Sequence, residues 1–146
     1  MTSVTEALPC GPSADGADTP FWEGLRLGNL ILPRCGSCAT WRALGRVMCP
    51  ECHSFETDWV EVRPAGVVYT WIRSHRDFMS ELDVAAPYVT VLVELTDAPV
   101  RVLGILIDDE DDPAPRIGDA VDGVFVQPVN AAWPVLRWRR TAGGSR

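Results

Sequence analysis

Cys35, Cys38, Cys49 and Cys52 form two C-x2-C pairs separated by ten residues, Ala39 to Met48. A C-x2-C turn points two thiolates at one centre, and two such knuckles supply four soft ligands in the tetrahedral arrangement that zinc prefers. The gap is shorter than the commonest spacing, yet it suffices for a ribbon hairpin, Trp41 to Met48, crossing between the knuckles. Redox chemistry is the rival reading of C-x2-C, but no thioredoxin-like βαβ pattern surrounds either pair. Four cysteine ligands close every coordination position, so the ion is read as a single structural zinc rather than a catalytic one. His53 is read as a knuckle residue beside a ligand, and Cys10 is the cysteine left over.

A second chemical cluster is cationic. Arg73, His75 and Arg76 stand together near the aromatic residues Phe78 and Tyr88. Arginines fork onto phosphate oxygens, so these five residues are candidates for the phosphates and the adenine or acyl group of a CoA thioester. The competing reading pairs Arg73 and Arg76 with the nearby Asp77 and Glu81 in a solvated loop. With two histidines in the chain and no G-x-S-x-G, P-loop or dinucleotide fingerprint, no catalytic residue is assigned.

The elements that must position these groups are mainly β. Of 146 residues 47% are hydrophobic, enough for a core, and no apolar run is long enough to span a membrane. Without a secretory signal the chain reads as cytoplasmic, where paired cysteines are metal ligands rather than disulfides. Residues 1–19, rich in Gly, Pro, Ser, Ala and Asp, read as a disordered tail. Residues 20–33 read as an amphipathic helix carrying Phe21, Trp22, Leu25 and Leu27, with Pro20 in its first turn and Gly28 at its end. Phe21 and Trp22 either cover the core or dock on another protein.

Residues 34–60 then make the zinc ribbon and residues 61–138 a barrel, followed by a tail over 139–146. Five strands rich in β-branched and aromatic residues are expected at 66–72, 88–95, 100–107, 120–126 and 135–139, in antiparallel order. Closing five short strands removes exposed edges, and the five-stranded OB-fold is the natural form. The run Asp108-Asp109-Glu110-Asp111-Asp112 lacks the spaced ligands of an EF-hand loop and reads as solvated.

Charge narrows the partners. The formal charge is −7, the thirteen cations are all arginines, and metal-bound thiolates add further negative charge. Zinc ribbons and OB-folds recur in binders of single-stranded nucleic acid, but that role rests on a basic groove this chain lacks.

The order of Phe21-Trp22-Glu23-Gly24-Leu25, Leu30 to Arg34, the four cysteines and Trp59-Val60-Glu61-Val62 before Gly66 resembles the domain-of-unknown-function-35 family. The resemblance continues through Tyr69-Thr70, His75-Arg76, Pro87-Tyr88 and Gly118, over about residues 20 to 138. Ala39, Trp41 and the arginine-rich stretch Arg137 to Arg140 depart from it without touching the ribbon motif. The resemblance implies an N-terminal helix, a rubredoxin-like zinc ribbon and a C-terminal OB-fold. It further implies a non-catalytic accessory subunit of a thiolase-like enzyme, such as a lipid-transfer-protein-type aldolase or thiolase, or of a hot-dog enoyl-CoA hydratase. Such a subunit helps form the acyl-CoA channel of its partner in lipid, polyketide or steroid side-chain metabolism. The alternatives are a single-stranded nucleic-acid-binding OB-fold protein and a free-standing acyl-CoA-binding protein.

Overall fold

Asp18 organises the start of the fold. Its carboxylate accepts hydrogen bonds from the Ser13 N–H and hydroxyl (2.8 and 2.9 Å) and from the Trp22 indole N–H (3.1 Å). Three donors on one carboxylate hold its pKa below the usual range, against a burial effect that raises it. In this computed structural model residues 10–77, 83–109, 111–129 and 131–141 are described. Within that span residues 10–18 do not behave as the expected tail: Cys10 is 8% exposed, and a Cβ on Gly11 would lie 3.0 Å from Trp133. Residues 1–9 lie outside the described residues.

Helix α1 is Thr19–Arg26, shorter than the expected 20–33. Phe21, Gly24 and Leu25 form its buried face, at the i, i+3, i+4 spacing of an amphipathic helix. Gly28 ends it at φ +78°, a left-handed conformation that glycine adopts without a Cβ penalty. The rest of the expected helix is strand β1, Leu30–Cys35, which pairs antiparallel with β2, Thr57–Val62, in the register Leu30↔Val62 to Cys35↔Thr57. The expected Trp41 to Met48 hairpin is also corrected. That segment has a single bridge, Arg34↔Trp41, and the ribbon's two strands are those flanking the knuckles.

The barrel is built from β3 (Ala65–Ser74), β4 (Tyr88–Leu95), β5 (Arg101–Leu106), β6 (Ala120–Val126) and β7 (Val135–Arg140). It closes in the order β3-β4-β5-β7-β6, the five-strand closure expected of an OB-fold. One joint departs from an all-antiparallel arrangement: β5 and β7 run parallel over Ile105↔Arg137 and Leu106↔Trp138. Val68, Val91, Val93, Val102, Leu106, Val121, Leu136 and Trp138 fill the core. Trp138 is fully buried, and its indole occupies the space a Cβ on Gly104 would need, 2.6 Å from the ring. Phe21, Leu25, Leu30, Leu32 and Val62 belong to the same cluster, so helix, ribbon strands and barrel share one core.

Arg140 lies within β7 rather than in the expected tail. It forks onto Asp108 (3.2 and 2.6 Å) and donates to the Pro113 carbonyl (2.8 Å), fastening one end of the acidic run to the barrel. Asp109, Asp111 and Asp112 are exposed, as a solvated loop requires. No helix among the described residues is long and apolar enough to cross a membrane.

Candidate metal centre

The four thiols converge at one end of the ribbon, their sulfur atoms all within 4.8 Å of one another. Cys35 Sγ lies 3.6 Å from Cys52 Sγ, and Cys38 Sγ lies 3.5 Å from Cys49 Sγ. A tetrahedron with metal–sulfur bonds of about 2.3 Å has edges of about 3.8 Å, so the thiols stand near the spacing one ion requires.

The two knuckles repeat one local geometry. Cys35 N–H donates to Thr40 O (2.8 Å) and Ala39 N–H to Cys35 O (3.0 Å). In the second, Cys49 N–H donates to Ser54 O (2.9 Å) and His53 N–H to Cys49 O (3.0 Å). Each turn closes on a residue in the left-handed region, Ala39 at φ 63° and His53 at φ 61°. Glycine is the usual occupant of that conformation, so both turns carry backbone strain. This is where His53 stands, exposed and outside the set of converging ligands.

Main-chain N–H groups serve the sulfurs as well as the turns. Ser37 N–H and Cys38 N–H approach Cys35 Sγ at 3.4 and 3.5 Å. The Cys38 N–H is the largest of the influences that lower the Cys35 thiol to about 6, joined by Ser37 and Arg42 against burial. Cys52 moves the other way: the Ser54 N–H lowers it, but Cys38, burial, Cys35 and Cys49 together push it up to about 12. One thiol is thus already a thiolate near neutrality, while another keeps its proton until a cation displaces it. Metal uptake must therefore release protons and weaken as pH falls, more steeply below about 6, where the Cys35 thiolate is itself protonated. Dialysis against chelator at pH 5 should strip the metal far faster than at pH 8, with metal content read by mass spectrometry.

Sequence reasoning missed Arg42. It is 2% exposed, and its guanidinium lies between the knuckles. It donates from Nη1 to Val47 O (3.1 Å) and Thr57 Oγ1, and from Nη2 to Ser54 O (3.1 Å) and Glu56 O. One side chain thereby ties the Trp41 to Met48 crossing to the second knuckle and to the start of β2. Among thirteen arginines nothing in its immediate neighbours marks it as buried.

The remaining candidates are placed differently. Phe21 is 7% exposed and belongs to the core, so the docking role considered for it is corrected: its helix position faces inward. Trp22 is half-buried and meets Trp133 edge to face at 6.5 Å, where Arg26 also stacks on Trp133 at 3.4 Å. Arg73, His75 and Arg76 are exposed at the end of β3, and Tyr88, half-buried, pairs with Ser74. Asp77 accepts from the Ala86 N–H (2.6 Å) rather than from either arginine. Phe78 and Glu81 lie outside the described residues.

Residues 22–58 match the family described as "ChsH2, rubredoxin-like zinc ribbon domain", and residues 59–126 match "ChsH2, C-terminal OB-fold domain". A protein of Thermomonospora curvata named "Probable enoyl-CoA hydratase alpha subunit" is 38% identical over 90 residues, 61% of this chain. The chain spans 28% of the length of that relative. Among solved structures, a chain of the "Ltp2-ChsH2(DUF35) aldolase" superposes with a TM-score of 0.75 at 28% identity, covering 88% of this chain and 98% of that one. A protein of unknown function from the DUF35 family of Sulfolobus solfataricus shares the fold, with a TM-score of 0.57 at 17% identity over 89% of this chain and 87% of that one. Two adjoining ChsH2 domains in their proper order, on a helix, a four-thiol ribbon and a closed barrel, place this chain in the ChsH2 family of DUF35 zinc-ribbon and OB-fold proteins.

Proposed function

We propose that the chain is a non-catalytic accessory subunit of a thiolase-like enzyme that acts on acyl-CoA, and that its barrel forms part of the wall of the partner's acyl-CoA channel. The observation that carries this reading is the likeness, over 88% of this chain and 98% of the other, to a chain of the Ltp2-ChsH2 aldolase. The curated relative's name favours a second partner class, an enoyl-CoA hydratase, over a shorter stretch. The setting is lipid or steroid side-chain metabolism in the cytoplasm.

The chemistry of this chain supports a structural task. Cys35, Cys38, Cys49 and Cys52 would hold one zinc ion, which supplies folding energy to the ribbon and, with four thiolates bound, has no position for water or substrate. Two chelating knuckles and a buried arginine fix a small rigid domain that shares the barrel's core. The acidic charge disfavours nucleic acid. Purification of the tagged chain from its own cells should recover a thiolase-like or hydratase subunit at fixed stoichiometry, together with one zinc per chain. Recovery as a lone monomer, or with nucleic acid alone, would overturn the reading.

A further inference from the structure

The strands of the barrel are unequal in length. β3 runs over ten residues and pairs with β4 from Gly66 to Ser74, with a break in register at Tyr69 between Val68 and Thr70. On its other side β6 pairs only with Ala65, Gly66 and Val67, and Val68 is then bonded to Gly118 and Asp119. From Tyr69 to Ser74 no strand among the described residues covers that second edge. Six residues at about 3.3 Å each make roughly 20 Å of strand whose edge away from β4 no described strand covers.

Open edges in native proteins are ordinarily guarded by charge. Here the edge carries apolar side chains as well: Ile72 is 65% exposed and Tyr69 44% exposed. At its far end Arg73, His75 and Arg76 are exposed, and no ion pair to Arg73 or Arg76 occurs among the described residues, although Arg73 rests over Trp71 at 5.8 Å. A chain of net charge −7 thus keeps, among the described residues, two arginines without an ion pair at the end of a strand that is paired on one side. Arg73 lies within β3, and His75 and Arg76 follow where the chain leaves the end of the strand.

We propose that the outer half of β3 receives an extended segment of another polypeptide, which pairs main chain to main chain along Tyr69–Ser74 and sets acidic residues against Arg73, His75 and Arg76. Strand addition draws affinity from the ladder and specificity from side chains at alternate positions. Apolar residues of the incoming strand would lie beside Tyr69 and Ile72, and its carboxylates at the end would settle register and direction. The inference stands on the unequal strands and the charge, independently of the accessory reading.

The test uses the full, metal-loaded chain and two fluorescent peptides of alternating valine and threonine, one with three aspartates at its N-terminus and one with them at its C-terminus. One of the two should bind saturably below about 1 mM at low salt, since a short edge-pairing ladder gives modest affinity. Those amides of Tyr69–Ser74 that face away from β4 should then exchange with deuterium at least about fivefold more slowly, as newly paired groups do. The double variant Arg73→Glu/Arg76→Glu should lose about tenfold in affinity and prefer a lysine-ended peptide. Absence of saturable binding would overturn the proposal and leave the arginines as edge guards. Protection confined to residues outside 69–74 would overturn it too, as would displacement of the peptide by CoA without any protection of those amides.

Discussion

Replacing Cys49 with serine is expected to strip the metal from the chain and leave residues 35–57 without a fixed fold, while the barrel stays folded. Cys49 is fully buried and Cys35 is 1% exposed, so these two thiols form the inner half of the centre. A structural zinc contributes on the order of 10 kcal/mol of folding free energy to a small ribbon. No interaction within residues 35–57 approaches that magnitude. The ribbon has two strands, a crossing without ladder and two turns strained at Ala39 and His53. The barrel draws on a different reserve, since Val68, Val91, Val93, Val121 and Trp138 pack among themselves with at most 1% exposure. Metal content measured by mass spectrometry should fall from one ion per chain to nearly none, and amides of residues 35–57 should exchange at unprotected rates. Those of β4 and β5 should remain protected. Cys10→Ser, outside the cluster, should keep its metal. Full metal retention in Cys49→Ser would show that the four thiols do not act as one ligand set.

The knuckles were legible because their information is local: two thiols three residues apart dictate a turn, and two such turns dictate a shared ion. The strands were legible almost as well, with Tyr88–Leu95 and Ala120–Val126 placed at their ends, because β-branched residues alternate between clear turn signals. What escaped depends on contacts between distant residues. Leu30 to Pro33, placed within the helical segment, shows itself as a strand only once Val62 and Glu61 are seen pairing with it. The parallel joint of β5 with β7 joins Ile105 to Arg137, a partnership no short window can reveal. The order of residues 10–18 follows from Asp18 gathering Ser13 and Trp22, and composition alone hides such a hub. Phe21 and Trp22 are neighbours in sequence with different fates because a helix turns about 100° per residue, which puts the first on the buried face and leaves the second half-buried at its border.

Arg42→Met is expected to destabilise the metal-loaded ribbon by about 1 to 3 kcal/mol, the cost of removing a buried donor from the acceptors around it. Methionine keeps the length and apolar stem of the arginine, so lost packing contributes little and the effect reads the guanidinium. Without it the Val47 carbonyl loses its donor, and the Ser54 and Glu56 carbonyls keep only the main-chain N–H groups of Cys49 and Gly36, at a site where the arginine was 2% exposed. Electrostatics adds to the penalty. Four thiolates around a divalent ion carry two net negative charges, and Arg42 is close enough to Cys35 to lower that thiol, so it offsets part of the charge buried beside it. Groups that orient and neutralise metal ligands in this way are worth roughly 10- to 100-fold in metal affinity. Competition with a chelator should show a loss in that range, and thermal melting should show the ribbon unfolding well before the barrel. Arg42→Lys should recover little, because one ammonium cannot reach from Val47 and Thr57 on one side of the fork to Ser54 and Glu56 on the other. Full recovery by lysine would mean that charge alone matters. Unaltered metal affinity in the methionine variant would mean that the arginine is a spectator, and that the ribbon is held by its four thiolates without help.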